Sequence, residues 1–227
     1  MTSKSSRAKT AVNISFDGVE SQLQNIIYRD VSKRMLKKKS LIVSMVSPAV
    51  QRLVSRQITN SSTVRSLTSG VLRDEFGLNS VDAEATTADI ISELTSKISV
   101  VSSSASSLYA LGFSIRMFPV TEELLKKITT GRYVTNKGRN VEWLEWLLTR
   151  GSEVVLPEYR LFKDAAGNTR SGGESIMIDT GSRKRGAFRV TPEYSGTPDD
   201  NFITRCIEEI HPQIIQIITS AVMGVMK

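Results

Sequence analysis

Apolar residues recur at steps of three and four through the first hundred positions, the spacing of helices with one buried face. From Asp17 the set is Val19, Leu23, Ile26, Ile27, Val31 and Met35. Ser15 or Asp17 supplies a cap, and Lys37, Lys38 and Lys39 suit the far end, where cations meet the negative pole of the helix dipole. Val50, Leu53, Val54 and Ile58 share a face of a second run. Pro48 either opens that run in its first turn or kinks one long helix. Asn60 to Thr63 offers caps for a short helix with Val64, Leu67, Val71 and Leu72 inward, ended by Gly77. After Ser80, Ile90, Ile91, Leu94 and Ile98 mark another helix.

The pattern changes at SSSASS (102–107), a loop or linker signal. Phe113 to Pro119 then alternates like a half-buried strand. Thr121 caps a short TEELLKKI helix, GRYVTNKGRN (131–140) reads as a basic loop, and VEWLEWLLTRG forms an amphipathic helix with Gly151 at its C-terminal cap. Val154 to Phe162 and Ser175 to Asp179 are the strands of a hairpin, joined by the long, glycine-rich DAAGNTRSGG. A strand from Ala187 to Val190 leads into TPEYSGTPDDN. The last helix starts near Asp199 or Asp200, runs to Met226 and bends at Pro212. It is apolar on more than one face, as a core helix or a subunit interface is.

The expected fold is therefore α+β: a helical N-terminal part, a small antiparallel sheet with a long hairpin, and a long apolar C-terminal helix. Residues 1–14 form a flexible basic arm, 15–101 a helical region, and 102–227 an α+β region containing the hairpin (153–179) and the C-terminal helix (200–226), together one compact domain.

With 227 residues, 40% hydrophobic and 23% charged, the chain has the composition of an ordinary globular protein. No stretch approaches the roughly 18 apolar residues of a membrane helix, and MTSKSSRAKT does not read as a secretory signal. The net charge of +7 is unevenly placed. Residues 1–80 hold 13 Lys/Arg against 5 Asp/Glu, and the remainder holds 17 against 18. The excess sits on a solvated helix surface or attracts a polyanion or an acidic partner surface.

Catalytic chemistry finds little to use. There is one cysteine, Cys206, and one histidine, His211, which the helical spacing puts on different faces. The pairs Glu122/Glu123 and Asp199/Asp200 suit helix starts, and Glu208/Glu209 a solvated face. No glycine run has phosphate-loop spacing. The reading is non-enzymatic, with no cofactor and no metal. Two basic clusters remain, Lys33, Arg34, Lys37, Lys38 and Lys39 at a helix end, and Arg183, Lys184 and Arg185 in a turn. Without interleaved aromatics they suit phosphate contact and not base readout. Trp143 and Trp146, three apart on one helix, are either core or an exposed anchor for a partner.

From Asn140 to Arg205 the chain resembles the neck and tail-completion proteins of long-tailed bacteriophages, which join the DNA-filled head to the tail. Trp143-Leu144-Glu145-Trp146-Leu147-Leu148 and Pro192-Glu193-Tyr194-Ser195-Gly196-Thr197 carry the resemblance. It implies a structural virion protein, made in the host cytoplasm, that forms a ring of six or twelve copies in the neck. Its partners would be itself, a portal or adaptor ring, and tail terminator or tube proteins, with genomic DNA passing through the bore without sequence-specific contact and no membrane. Gly167, Asn168 and Arg170 at the hairpin tip would reach a neighbouring ring. A tail-terminator or stopper role has much the same composition. The alternative function is non-specific nucleic-acid binding through the basic first third.

Overall fold

A computed structural model describes residues 19–104, 111–116, 122–134, 140–151, 153–154, 159–162, 176–179 and 188–227. The described part is mostly helical, with three two-stranded antiparallel sheets. The expected arm (1–14), the hairpin tip with Gly167, Asn168 and Arg170, and the Arg183-Lys184-Arg185 turn lie outside the described residues.

Helix α1 (Val19–Lys37) is followed by α2 (Lys39–Thr59), which is central to the packing. Ile42, Val46, Val50, Val54 and Ile58, spaced every four residues, form its buried face. They meet α5 (Ser80–Lys97), α8 (Phe202–Glu209) and α9 (His211–Met226). Lys38 Nζ donates to the Val225 carbonyl at the start of α2, while Gln57 Nε2 donates to Glu209 Oε2 at 2.6 Å near its end. Helices α2 and α9 therefore run antiparallel. The helix break expected at Pro48 falls instead at Lys38, and Pro48 rides inside α2. Pro48 and Ser44 are both exposed, so water can reach the carbonyl that a proline leaves without its helical donor.

The single helix expected before Gly77 is two, α3 (Ser62–Ser69) and α4 (Val71–Phe76). Gly70 takes extended angles between them, and Leu72 N–H turns to Ser66 Oγ at 3.1 Å. Val71, expected inward, is consequently exposed. Gly77 does end the run, at φ +62. Asn79, beside the expected Ser80, caps α5 by accepting from Asp82 N–H at 2.7 Å.

Strand β1 (Ser99–Ser104) pairs with β2 (Leu111–Arg116), from Ser99↔Arg116 to Ser104↔Leu111. Ser102 to Ser104, read as loop from their composition, are thus strand: backbone pairing across six rungs overrides the weak preference of serine. After α6 (Glu122–Lys127) and a 3-10 turn at Thr129–Gly131, a short pair joins β3 (Tyr133–Val134) to β4 (Asn140–Val141), within the segment expected to be loop. The expected hairpin is present as β5 (Tyr159–Phe162) and β6 (Ile176–Asp179), and residues 155–158 and 175 of its expected strands lie outside the described residues. Of the strand expected over 187–190, residue 187 lies outside the described residues, and among 188–190 Phe188 forms an isolated bridge.

The C-terminal helix is also divided. Asn201, not an aspartate, caps α8 by accepting from Ile203 and Thr204 N–H, and Thr204 Oγ1 accepts from Asn201 N–H in return. The break comes at Ile210, so Pro212 lies in the first turn of α9, where its missing N–H would have no helical acceptor. The expected bend is therefore a restart.

Helix α7 (Trp143–Thr149) buries Trp143, Leu144, Trp146, Leu147 and Leu148. Phe76 stacks obliquely on Trp143 with ring centres 5.6 Å apart, and Phe188 lies 6.2 Å from both Phe76 and Trp146. These rings and the α2 face belong to one hydrophobic cluster. Gly151, at φ +57, ends α7 in the left-handed region and donates its N–H to the Gly196 carbonyl at 2.7 Å. PEYSGT is thereby fastened to α7.

Candidate interaction surface

The apolar stripe of α1 is not covered by the described residues. Leu23, Ile26, Ile27 and Tyr28 are all exposed, Ile26 at 61%. Contact with the body comes further along, where Val31, Ser32 and Met35 are half-buried. Ile26 and Met35 are nine residues apart, which places them about 180° from each other around the helix. Ile26 thus looks away from the side by which α1 is attached, with Leu23 about 60° and Ile27 about 100° around the helix from it.

A second apolar surface lies between α2 and α9. Met45, Ala49, Leu53, Ile217 and Ala221 line an open groove of about 560 Å3, with Gln216 and Ser220 along its α9 side and Arg56 among its lining. Met223, 60% exposed, falls on the same side of α9 as Gln216 and Ser220. Over its 16 residues α9 carries no Asp, Glu, Lys or Arg. A solvated helix ordinarily keeps charges on its outer face, so this one has the chemistry of a face that is covered.

The basic cluster sits at the joint of α1 and α2, and all five cations are exposed. Two have structural work. Arg34 pairs with Asp30 at 2.9 Å, and Lys38 closes on the last carbonyls of α9, where a cation offsets the helix dipole. Lys33 and Lys37, four apart, continue the side of α1 that bears Ile26. Lys39 opens α2.

Trp143 and Trp146 are 0% and 8% exposed. That corrects their reading as exposed anchors: they are core, held in the Phe76–Phe188 ring cluster. Cys206 is buried, and burial, with the nearby charge of Glu209, pushes its thiol up to about 11. A thiol held protonated is a poor nucleophile. His211 is exposed at the start of α9, so the two residues do not form a dyad.

One feature escaped the sequence reading. Leu144, Glu142, Glu145, Arg132 and Lys126 line a cleft of about 620 Å3 beside the first turn of α7. Hydrogen bonding to Glu142 raises the Glu145 carboxyl, as do partial burial and the Glu142 charge, while Arg150 at 3.3 Å opposes them. The E-x-x-E spacing within VEWLEW, which sets two carboxylates on one helix face, was the available signal. Among the described residues no group of three or more His, Cys, Asp or Glu is placed to bind a metal ion.

Comparison with protein-family models, curated proteins and solved structures finds no match. Among the described residues no helix is long and apolar enough to cross a membrane.

Proposed function

We propose that this chain is a self-assembling structural subunit, and that it forms a homo-oligomeric ring in the neck of a long-tailed bacteriophage virion, between the head-side portal or adaptor ring and the tail. The observation that carries the reading is the uncovered apolar surface on α1, α2 and α9. Scattered exposed aliphatics are ordinary on a monomer. Two mainly apolar helical faces, one with several half-exposed aliphatics in two turns, are the mark of an interface. The neck assignment adds the resemblance of Asn140 to Arg205, where Trp143 packs in the core against Phe76 and the Gly196 carbonyl fastens PEYSGT to the end of α7. The long hairpin, with β5 and β6 as its stem, is the element suited to reaching an adjacent ring.

Negative-stain microscopy of the purified protein tests the proposal. Closed rings of six or twelve subunits around an open bore support it. Uniform monomers, persisting when purified head-side connector rings are added, contradict it.

The exposed lysines at the α1–α2 joint favour a second reading, non-specific binding to a nucleic-acid backbone. Duplex affinity would then fall with salt at a logarithmic slope of about −0.9 per phosphate neutralised, and Lys33→Glu with Lys37→Glu would flatten it by about two such increments. Binding too weak to measure at about 50 mM salt removes this reading.

A further inference from the structure

Two mainly apolar surfaces lack a cover among the described residues, and the chain's connectivity keeps them apart. The first is the outward part of α1. Ser21 to Tyr28 contains no charged residue, and Leu23, Ile26 and Ile27 stand half or more in solvent. The second is the α2/α9 groove, continued past Ala221 by exposed Met223 and, on α2, by exposed Leu41. Arg56 is the charged residue in the groove lining, and its long stem can keep its guanidinium in water.

The arm cannot fill the groove of its own chain. Only Lys38, at φ −102 and ψ 9, separates α1 from α2, whereas two helices that fold back on one another need a connection of roughly 2–5 residues. The bond from Lys38 Nζ to the Val225 carbonyl ties this joint to the last turn of α9. Helix α1 therefore passes out at one end of the groove, keeping contact with α9 and β2, and cannot reverse into it. Pairing of arms with arms would leave the groove open, and pairing of grooves would leave the arms open. One contact covers both surfaces.

We infer that the outward half of α1 from one copy seats in the α2/α9 groove of a second copy, with Leu23, Ile26 and Ile27 against Ala49, Leu53 and Ile217. This rests on the proposed self-assembly and gives it a direction. Each copy gives an arm and receives one, a head-to-tail contact that closes into a ring when its rotation permits and otherwise continues as a filament.

The test uses the full chain with Cys206 left in place, since that thiol is buried and protonated. Chains carrying Leu23→Cys are mixed with chains carrying Ser220→Cys, both at exposed positions, and oxidised. Seating of the arm predicts a dimer that needs both variants and disappears when either is omitted. A cross-link formed as readily by Leu23→Cys alone means arms pair with arms and overturns the inference. So does the absence of any mixed cross-link. In parallel, Ile26→Asp with Ile27→Asp should weaken self-association at least about 100-fold, with the circular dichroism unchanged. Association unaffected by that pair also overturns it. Rings without the mixed cross-link leave the ring reading standing and remove the arm, whereas mixed cross-links in small open oligomers do the reverse.

Discussion

The capping of α8 offers the sharpest energetic test of the fold. Asn201 is fully buried, and its side chain works in both directions. Its Oδ1 accepts from Ile203 N–H at 3.0 Å and Thr204 N–H at 3.3 Å, while its Nδ2 donates to the Thr197 carbonyl at 3.1 Å. Asn201→Ala removes the cap, worth about 1 kcal/mol, and strips a buried carbonyl and N–H of their partners, worth about 1–3 kcal/mol more. The expected loss is about 2–4 kcal/mol. With a urea dependence of about 2–3 kcal/mol per molar, the unfolding midpoint falls by roughly 1–2 M at unchanged slope. Asn201→Ser retains a capping oxygen without the Nδ2 donor, and should recover about 1 kcal/mol of the loss. A midpoint shift below about 0.3 M for alanine, or serine no better than alanine, would refute this assignment of roles.

Three further outcomes follow from the packing and the charges. Gly196→Ala places a methyl 2.6 Å from Asn201 Cβ and 2.8 Å from its Cα, and backbone cannot rotate away; chemical denaturation should show a loss of at least about 1–3 kcal/mol. Trp143→Ala should lower global stability by about 3–5 kcal/mol in the same assay, as a core residue does and an exposed anchor does not. The carboxylates give opposite pH signatures. Hydrogen bonds from Lys127 and Lys97 hold Glu93 below the usual range, so it stabilises the fold above its unfolded pKa, and that contribution disappears as pH falls through the folded value. Glu93→Gln should therefore be less stable than the parent at pH 7, most clearly at low salt, and equal to it in acid. Glu145 is raised, chiefly by Glu142, so stability declines as pH climbs from its unfolded pKa through the folded one. Glu145→Gln should be the more stable protein at pH 7, with the difference vanishing in acid. Melting curves from pH 3 to 8 decide both.

Much of the helical content was legible because burial imposes a period on the sequence. Ile90 and Leu94 on α5 and the apolar residues of α7 occupy the positions their spacing indicates, and Gly77 and Gly151 end helices where left-handed backbone requires them. Breaks were less legible, because a single residue decides them. Pro48 was the visible signal, yet a proline on an exposed face can remain within a helix, while Lys38 and Ile210 carry no signature of a break. Ser102 to Ser104 form strand through their partners 111–113, which no local window contains. Periodicity also cannot say what covers an apolar face. The α1 stripe and the α2 stripe have the same spacing, but the described residues bury the second and leave Leu23, Ile26 and Ile27 of the first exposed. The missing signal was charge: Ser21 to Tyr28 and His211 to Met226 have none.

Whether those bare faces are an interface is settled most directly by the molar mass in solution, measured by light scattering after size exclusion across at least a hundredfold range of concentration. The expected result is a discrete multiple of the 25.1 kDa chain, six- or twelvefold for a closed ring, that dissociates on dilution or on Ile26→Asp with Ile27→Asp. A mass of 25.1 kDa at every concentration, with α1 folded, would contradict self-assembly through α1, α2 and α9.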